Sequence, residues 1–248
     1  QSDGTWKAVK KYDERGNVTE QAYFGVDDKP TMHKDGNARL TKKYDERGNV
    51  TEWAYFGADG KPTLHKDGYA RLTKKYDERG NATEIAVYGL DGSPCLDQSD
   101  GTWKAVKKYD ERGNVKECAC FGTDGKPTLS KDGYYLKKTF CNEQGQTVEE
   151  QYFDEKEQAC LYQKAYHRVT AAYDARGNRV EACAYDETGH LVPGPGGCPI
   201  WRKKYDERGN VTEWAYYGTD GKPTLHKDGY ARQTVAYDER GNATEYAY

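Results

Sequence analysis

The chain has few of the residues that fill an ordinary hydrophobic core. Leu, Ile, Val and Phe together make up 30 of its 248 residues, about 12%, and such a share by itself would indicate a disordered chain. The net charge of only −3 and an aromatic content of 13%, with 22 Tyr, argue against disorder. We therefore expect Tyr to serve as the core residue of a thin structure, with its ring buried and its hydroxyl at a wet edge.

Several sequence signals of partners and chemistry are also missing. The 38 basic and 41 acidic residues are finely interleaved, so no basic stripe is present that would neutralise a nucleic-acid backbone. No apolar run approaches the ~18 residues of a membrane span, and no signal peptide is visible. The sequence contains no GxSxG, HExxH, Walker or GxGxxG motif. We therefore expect a protein that is not an enzyme, with no cofactor, metal or nucleic-acid partner.

What the chain does contain is a repeat. The motif KKYDERGN begins at Lys10, Lys42, Lys74, Lys107 and Lys203. Alignment on the Tyr-Asp pair gives eight units with one step of 33 residues and otherwise steps of 32, at Tyr12, Tyr44, Tyr76, Tyr109, Cys141, Tyr173, Tyr205 and Tyr237. A fixed period of this kind predicts a repeat array. We interpret residues 1–248 as one tandem-repeat domain, and the recurrence of QSDGTWKAVKKYDERGNV at Gln1 and Gln98 leads us to expect a piece of a longer array.

Each YDERGN segment predicts the tip of a β-hairpin. Asp45 and Gly48 stand at the first and fourth positions of a type I turn. Gly48 can also supply the left-handed residue of a three-residue hairpin loop with a bulge. The flanking segments are rich in Tyr, Thr, Val and Trp, as strands are. The predicted fold class is therefore all-β, an elongated tandem array of β-hairpin repeats with a 32-residue period.

The turn also predicts a register for the two strands of the hairpin. We expect three pairs of facing residues: Tyr44 with Val50, Lys42 with Glu52, and Leu40 with Ala54. The position of Glu52 is Glu in all eight units, and eight identical carboxylates would suit acid–base chemistry. We prefer to interpret them as cross-strand ion pairs with Lys, each worth about 0.2–1 kcal/mol.

A connecting segment, Gly57 to Gly68 in the second unit, follows each hairpin and contains two Asp-Gly turn signals. Leu64 lies between the turns, and we expect it to pin the connector onto the sheet or the next unit. His65 recurs at the equivalent positions 33 and 226 only, so we interpret it as a solvent-exposed loop residue. The turns lack the dense Asp ligands of a calcium loop.

One position of the aligned repeats, here called the variable column, differs between repeats while most positions around it stay constant. It reads Gln21, Trp53, Ile85, Cys118, Glu150, Ala182, Trp214 and Tyr246. A column that accepts Trp, Glu and Gln indicates an exposed face rather than a core, and exposed aromatic residues make good anchors for a partner. With two neighbouring tyrosines the predicted binding surface consists of Trp53, Tyr55, Ile85, Trp214, Tyr216 and Tyr246. The alternative is drift of ordinary surface residues.

The seven cysteines lie in the divergent central units, from Cys95 to Cys198. Buried thiols are the default interpretation. Two alternatives stay open. Cys95–Cys118 and Cys160–Cys183 share a spacing of 23 residues and could form disulfides, and Cys118 with Cys120 could grip a soft metal on one strand face. An enzymatic or metal site around residues 118–198 is the least favoured of the functions considered.

The segment YDERGN followed by Val-Thr-Glu resembles the YD repeats of the Rhs family, which occur in large bacterial toxins and in teneurins. The match covers the hairpin tips of seven of the eight units, and the aromatic hairpins also look distantly like MORN-type and choline-binding repeats. The Rhs resemblance implies a curved or closed β-shell as the alternative to an elongated array. Together these observations predict a non-catalytic structural or protein-binding scaffold, with a carbohydrate-binding module or a shell segment as alternatives.

Overall fold

The computed structural model describes residues 5–194 and 196–248, so the first four residues of the repeated segment at Gln1 lie outside the described part. The described residues form antiparallel strands and contain no helix. The strands are β1 (Lys7–Tyr12), β2 (Val18–Phe24), β3 (Arg39–Tyr44), β4 (Val50–Phe56), β5 (Arg71–Tyr76), β6 (Ala82–Tyr88), β7 (Lys104–Tyr109), β8 (Val115–Phe121), β9 (Leu136–Cys141), β10 (Thr147–Phe153), β11 (Arg168–Tyr173), β12 (Arg179–Tyr185), β13 (Ile200–Tyr205), β14 (Val211–Tyr217), β15 (Arg232–Tyr237) and β16 (Ala243–Ala247). The prediction of an all-β tandem array of hairpins with a 32-residue period is confirmed.

The chain divides into two compact units. The first comprises Gln1–Tyr109 with Cys118–Lys131, and the second comprises Asp110–Glu117 with Asp132–Tyr248. Strands β1 to β7 of the first unit pair with one another in chain order. Strands β9 to β16 of the second unit do the same. Apart from β8, which is divided between the two units, the strands of each unit therefore pair with their neighbours in sequence. The interpretation as a single domain stays a prediction.

The hairpin tips adopt the predicted turn. The amide of Gly48 donates to the carbonyl of Asp45 at 3.1 Å, which closes the type I turn. Gly48 has a φ of 85°, a left-handed conformation that a residue with a Cβ rarely adopts. The Asp45 carboxylate fixes the loop from inside, because it accepts hydrogen bonds from the amides of Arg47 and Asn49 and from the Asn49 side chain.

The register beyond the tip differs from the prediction. Tyr44 faces Val50 as expected, but Lys43 rather than Lys42 faces Glu52. Leu40 likewise faces Tyr55 rather than Ala54. The cause is a β-bulge beside the tip, which inserts one unpaired residue and moves every later side chain of β4 to the opposite face from the one predicted.

A tyrosine hydroxyl joins each hairpin to the preceding one. Tyr76 ends β5, and its hydroxyl donates to the Val50 carbonyl at the start of β4 at 2.8 Å. The same bond is made by Tyr44, Tyr109, Tyr173, Tyr205 and Tyr237. Cys141 stands at this position in the divergent unit and has no hydroxyl to donate. The recurring Tyr of the YD pair is therefore a bridge between hairpins.

The recurring Arg makes the corresponding bond to the following hairpin. Arg15 donates to the Glu46 carbonyl at 2.6 Å, and Arg176 donates to the Glu207 carbonyl at 2.8 Å. Equivalent bonds are made by Arg47, Arg112 and Arg208. Because Tyr reaches backward and Arg reaches forward, the motif YDERGN carries the bonds between repeats as well as the turn itself.

We expect Tyr76→Phe to lower the free energy of unfolding by about 0.5–1.5 kcal/mol, because it removes one hydrogen bond and leaves the Val50 carbonyl without this donor. Urea unfolding followed by circular dichroism measures the change. The matched control is Tyr12→Phe, since Tyr12 is 59% exposed and no preceding hairpin is present among the described residues.

The reverse change tests the same bond. Cys141→Tyr supplies the missing hydroxyl, and we expect it to raise the free energy of unfolding by up to about 1 kcal/mol. If Tyr76→Phe and Tyr12→Phe both left the free energy of unfolding unchanged in dilute protein, the hydrogen bond from Tyr76 to the preceding hairpin would not stabilise the fold, contrary to this prediction.

Candidate binding face

In each of the two compact units, the side chains of the variable column lie on one face of the sheet, here called the variable face. In the second hairpin this face carries Leu40, Lys42, Trp53 and Tyr55. Tyr55 is buried with 9% of its surface exposed, whereas Tyr246 is 56% exposed. The other predicted residues, Trp53, Ile85, Trp214 and Tyr216, are partly buried. Of the six residues of the predicted binding surface, Tyr246 is therefore exposed as expected, Tyr55 is not, and the remaining four lie in between. Their role in binding stays a prediction.

The connectors explain this burial, because their aromatic side chains stack on the variable face. The His65 ring lies 4.9 Å from the Tyr55 ring and 5.3 Å from the Tyr69 ring. Only 13% of the His65 side chain is exposed. In the second compact unit, the His226 ring stacks on the Tyr216 ring with centroids 4.5 Å apart. The interpretation of these histidines as exposed loop residues is wrong, because each lies among tyrosines.

The recurring Leu of the connector does the opposite of what we predicted. Leu64 is 42% exposed and Leu225 is 67% exposed. The connector is held instead by backbone bonds, with the Thr63 amide donating to the Tyr55 carbonyl at 3.0 Å and the Lys66 amide donating to the Asp35 carbonyl of the preceding connector at 2.9 Å. Leu64 and Leu225 are thus too exposed to be the main contacts of the connector, which the aromatic residues and these backbone bonds hold.

Around Trp53 and Val87 the variable face has a small hydrophobic cluster. Tyr55, Tyr69 and Val87 form its buried centre, with Leu40, Trp53, Leu72, Cys95 and Trp103 packed against it. The second unit has its own cluster centred on Tyr152, Tyr166 and Ala184. Tyrosine is thus a core residue in both units, as the composition predicted.

Lysine ammonium groups lie over the Trp rings of this face. Lys74 Nζ is 4.9 Å from the Trp53 ring centroid, and Lys203 Nζ is 5.0 Å from that of Trp214 and 4.9 Å from that of Trp201. Burial lowers the pKa of both Lys74 and Lys203, and a neighbouring cation lowers each further. The face therefore presents paired aromatic and cationic groups. These lysines were not predicted on this face, because the expected register placed Lys42 opposite Glu52 instead of Trp53.

The opposite face carries the Glu column, and its carboxylates form ion pairs. Glu52 contacts Lys43 Nζ at 2.8 Å and Arg71 Nη1 at 3.3 Å. The Arg71 guanidinium in turn lies 4.0 Å from the Tyr88 ring centroid. The hydrogen bond from Lys11 holds the pKa of Glu20 below its usual value despite partial burial. Cross-strand ion pairs with Lys are confirmed for Glu20, Glu52, Glu84 and Glu213, with Lys43 and its equivalents as partners. Glu149 and Glu181 pair with Arg168 and Arg202 instead.

Burial raises the pKa of five of the cysteine thiols, which disfavours their thiolate forms: Cys95, Cys120, Cys160, Cys183 and Cys198. Within residues 5–194 and 196–248, which include all seven cysteines, no disulfide is present. Burial raises the pKa of Cys120 to about 12 and that of Cys160 to about 11. The same described residues bring no three His, Cys, Asp or Glu side chains together in a group that could hold a metal ion.

A crevice of about 550 Å³ lies between two neighbouring hairpin tips of the first unit. Its walls include Arg47, Lys74 and Tyr76. Arg47 and Tyr76 are the residues that bond one hairpin to the next, so their polar groups already have partners. We therefore assign the crevice to the structural contacts of the tips and not to a ligand.

No family model and no curated protein sequence matches the chain. Among solved structures it resembles a crystal structure of TcdB2-TccC3 without its hypervariable C-terminal region, with 12% identity, a TM-score of 0.42, and coverage of 93% of this chain and 11% of that one. A Photorhabdus luminescens Tc holotoxin pore, with a TccC3-D651A mutation, matches at 12% identity and a TM-score of 0.33, covering 95% and 13%. A crystal structure of TcdB2-TccC3-TEV matches at 12% identity and 0.37, covering 98% and 13%. These TM-scores lie below 0.5, so the likeness carries no conclusion about function.

The buried phenols and thiols predict a loss of stability in alkali. Burial raises the pKa of Tyr166 and Tyr216 to about 12, above the value of 10 for an exposed Tyr. The folded state therefore keeps these groups protonated where the unfolded state ionises. The free energy of unfolding is therefore unaffected by these phenols below about pH 9, and it falls as the pH rises from there through about 12.

Urea unfolding at intervals between pH 8 and 12 measures this loss. Tyr166→Phe should reduce the slope of the free energy of unfolding against pH, because it removes one of the shifted groups. A free energy that stays constant to pH 12 would contradict the burial of these phenols.

Proposed function

We propose that this chain is a non-catalytic structural scaffold that binds protein partners through its variable face. One observation carries the proposal: the Tyr and Arg that recur in most repeats are used in contacts that join neighbouring hairpins, whereas the side chain at the Trp53 position varies among the repeats. A constant frame that presents different side chains at regular intervals is the arrangement of repeat proteins that bind other proteins.

The chemistry of the variable face favours a protein partner with carboxylates beside apolar groups. Trp53 offers a partly exposed ring and Lys74 an ammonium group above it. Trp201, Lys203 and Trp214 repeat the arrangement in the second unit. Trp and Tyr are typical of the residues that contribute most to protein interfaces, and a lysine ammonium beside them can pair with a carboxylate of the partner.

The non-catalytic part of the proposal is supported by the state of the reactive groups. Glu20, Glu52 and Glu213 each contact both a Lys and an Arg. His65 and His226 lie in tyrosine stacks. Burial raises the pKa of the Cys120 thiol, which lowers its thiolate fraction and its nucleophilicity.

A carbohydrate-binding module is less well supported. Stacking on a sugar requires an open ring face, and a lysine ammonium lies over one face of both Trp53 and Trp214.

The described residues contain no helix long and apolar enough to cross a membrane. A curved or closed shell, the alternative that the Rhs resemblance implies, stays a prediction.

The test compares two pairs of substitutions in partner capture. Trp53→Ala with Trp214→Ala should abolish the recovery of specific partners when the tagged chain is purified from the cells that make it, with bound proteins quantified by mass spectrometry. The matched control is Leu64→Ala with Leu225→Ala, because these apolar side chains are exposed on the connectors instead.

Circular dichroism must first show that both double variants fold, because Trp53 packs against a buried cluster. Equal recovery of the same proteins by both variants and by the unaltered chain would contradict binding through the variable face. Loss of recovery only in the Leu variant would move the binding surface to the connectors.

A further inference from the structure

One hairpin of the second compact unit carries unusually small side chains on its variable face. In the hairpin of β11 and β12 the four positions of this face hold Val169, Ala171, Ala182 and Ala184. The hairpin of β3 and β4 has larger side chains at the same four positions: Leu40, Lys42, Trp53 and Tyr55. A cavity of about 170 Å³ adjoins two of the small residues, since its walls include Val169 and Ala171 together with Arg179.

Arg179 departs from the repeat and gives this cavity a positive charge. The equivalent residue of the other seven units is uncharged: Val18, Val50, Ala82, Val115, Thr147, Val211 and Ala243. In the same hairpin the lysine that recurs at the Lys42 position is replaced by Ala171. The cation of this hairpin therefore stands at the start of β12 instead of in the middle of its first strand.

The Arg179 guanidinium makes no ion pair with residues 5–194 or 196–248, and its buried Nε atom donates to no acceptor there. Two carboxylates line the cavity, but each already has a cation of its own. Glu149 contacts Arg168 at 3.2 Å, and Glu150 contacts Lys137 at 3.1 Å. A buried N–H without an acceptor costs free energy, which a ligand that accepts from Arg179 would recover.

Trp201 provides a flat surface on which the guanidinium lies. The ring centroid of Trp201 is 5.0 Å from Arg179 Cζ and 4.9 Å from Lys203 Nζ. Burial lowers the pKa of Lys203, and the neighbouring charge of Arg179 lowers it further. An arginine that stacks through its planar face keeps the N–H groups at its edge available for a carboxylate.

We propose that Arg179, stacked on Trp201, binds a carboxylate side chain of the protein partner in the cavity beside Val169 and Ala171. This inference rests on the function proposed above and names the chemical group that the partner presents. It gives the second compact unit a specificity-determining residue that the variable column does not contain.

The walls of the cavity favour a carboxylate on a short apolar stem. Val169 and Ala171 offer apolar contact to the methylene groups of a glutamate side chain, and its planar carboxylate can accept two parallel bonds from one guanidinium. Glu150 adds a negative charge to the wall, which disfavours a doubly charged phosphate.

Titration of the ¹⁵N-labelled 248-residue chain with N-acetylglutamate amide, followed by NMR, tests the proposal. The probe should shift the Nε–H signal of Arg179 and the indole N–H signal of Trp201 in a saturable way at millimolar concentrations. N-acetylglutamine amide has the same shape without the charge and should shift neither signal, and inorganic phosphate should bind more weakly than the glutamate probe.

Three variants separate recognition from general electrostatics. Arg179→Val restores the residue of the repeat and should weaken probe binding, read from the Trp201 signal, by at least about tenfold. Arg179→Lys keeps the charge without the paired donors and should retain only part of the affinity. Arg202→Gln is the matched control, because it removes an arginine that pairs with Glu181 on the opposite face and should leave probe binding unchanged.

No saturable shift, an equal shift with N-acetylglutamine amide or phosphate, or unchanged binding in Arg179→Val would overturn the proposal. A lower free energy of unfolding in Arg179→Val with unchanged probe binding would also do so, and would leave Arg179 a structural role on Trp201. The titration needs no partner, so a failure of the proposed function would appear in the capture experiment with Trp53 and Trp214 and not here.

Partner capture with Arg179→Val identifies the source of the carboxylate. Recovery of specific partners should fall at least about tenfold relative to the unaltered chain and to Arg202→Gln. Full recovery by Arg179→Val of partners that the Trp53 and Trp214 variant loses would overturn the assignment to a partner's side chain and point to a free carboxylate as the ligand.

Discussion

The Asp carboxylate of the hairpin tip, replaced by the Asn142 amide in the divergent repeat, is the contact on which the rest of the repeat depends. Asp45 accepts hydrogen bonds from two backbone amides and from the Asn49 side chain, which fixes a loop of only a few residues. With the loop fixed, Tyr44 points toward the preceding hairpin and Arg47 toward the following one. A change in the tip would therefore alter the contacts of three hairpins, which explains why this segment repeats most faithfully along the chain.

The structure contains few aliphatic residues and uses aromatic rings in their place. A sheet with a single layer has little interior, so a side chain is seldom covered from every side. Rings serve well in this position, because one face can pack on a neighbour while an edge or hydroxyl stays in water. The guanidinium groups of Arg39 and Arg71, each 4.0 Å from an aromatic ring centroid, use their planar surfaces in the same way.

Much of this structure was predictable from the sequence. The period, the hairpin tips and the alternation of strands follow from the spacing of Tyr-Asp pairs and from Gly48, whose positive φ a type I turn with a bulge requires. The register did not follow, because the pairing shifts once more between Tyr44 and Lys43, beyond the predicted loop, and no residue there marks this second irregularity. That single extra residue moved Trp53 and Tyr55 to the same face as Lys42, and with them the position of the candidate site.

The sequence therefore predicted which residues vary at the candidate site but not which side chains pack around them. The variation of the Trp53 column was visible in the sequence, but the stacking of His65 and Tyr69 over Tyr55 was not, because it depends on how the connector folds back. Leu64 illustrates the same limit. Its apolar character predicted burial, whereas backbone hydrogen bonds had already determined the path of the connector and left this side chain in solvent.

The bonds between hairpins have a consequence for folding kinetics, because all of them are short in sequence. The ion pair between Arg71 and Glu52 spans 19 residues, the Tyr76 bond 26 and the Arg15 bond 31. A contact order this low means that no step requires the closure of a long loop. Folding can therefore begin at any hairpin and spread to its neighbours during synthesis, and the gain or loss of one whole repeat leaves the pathway of the others unchanged.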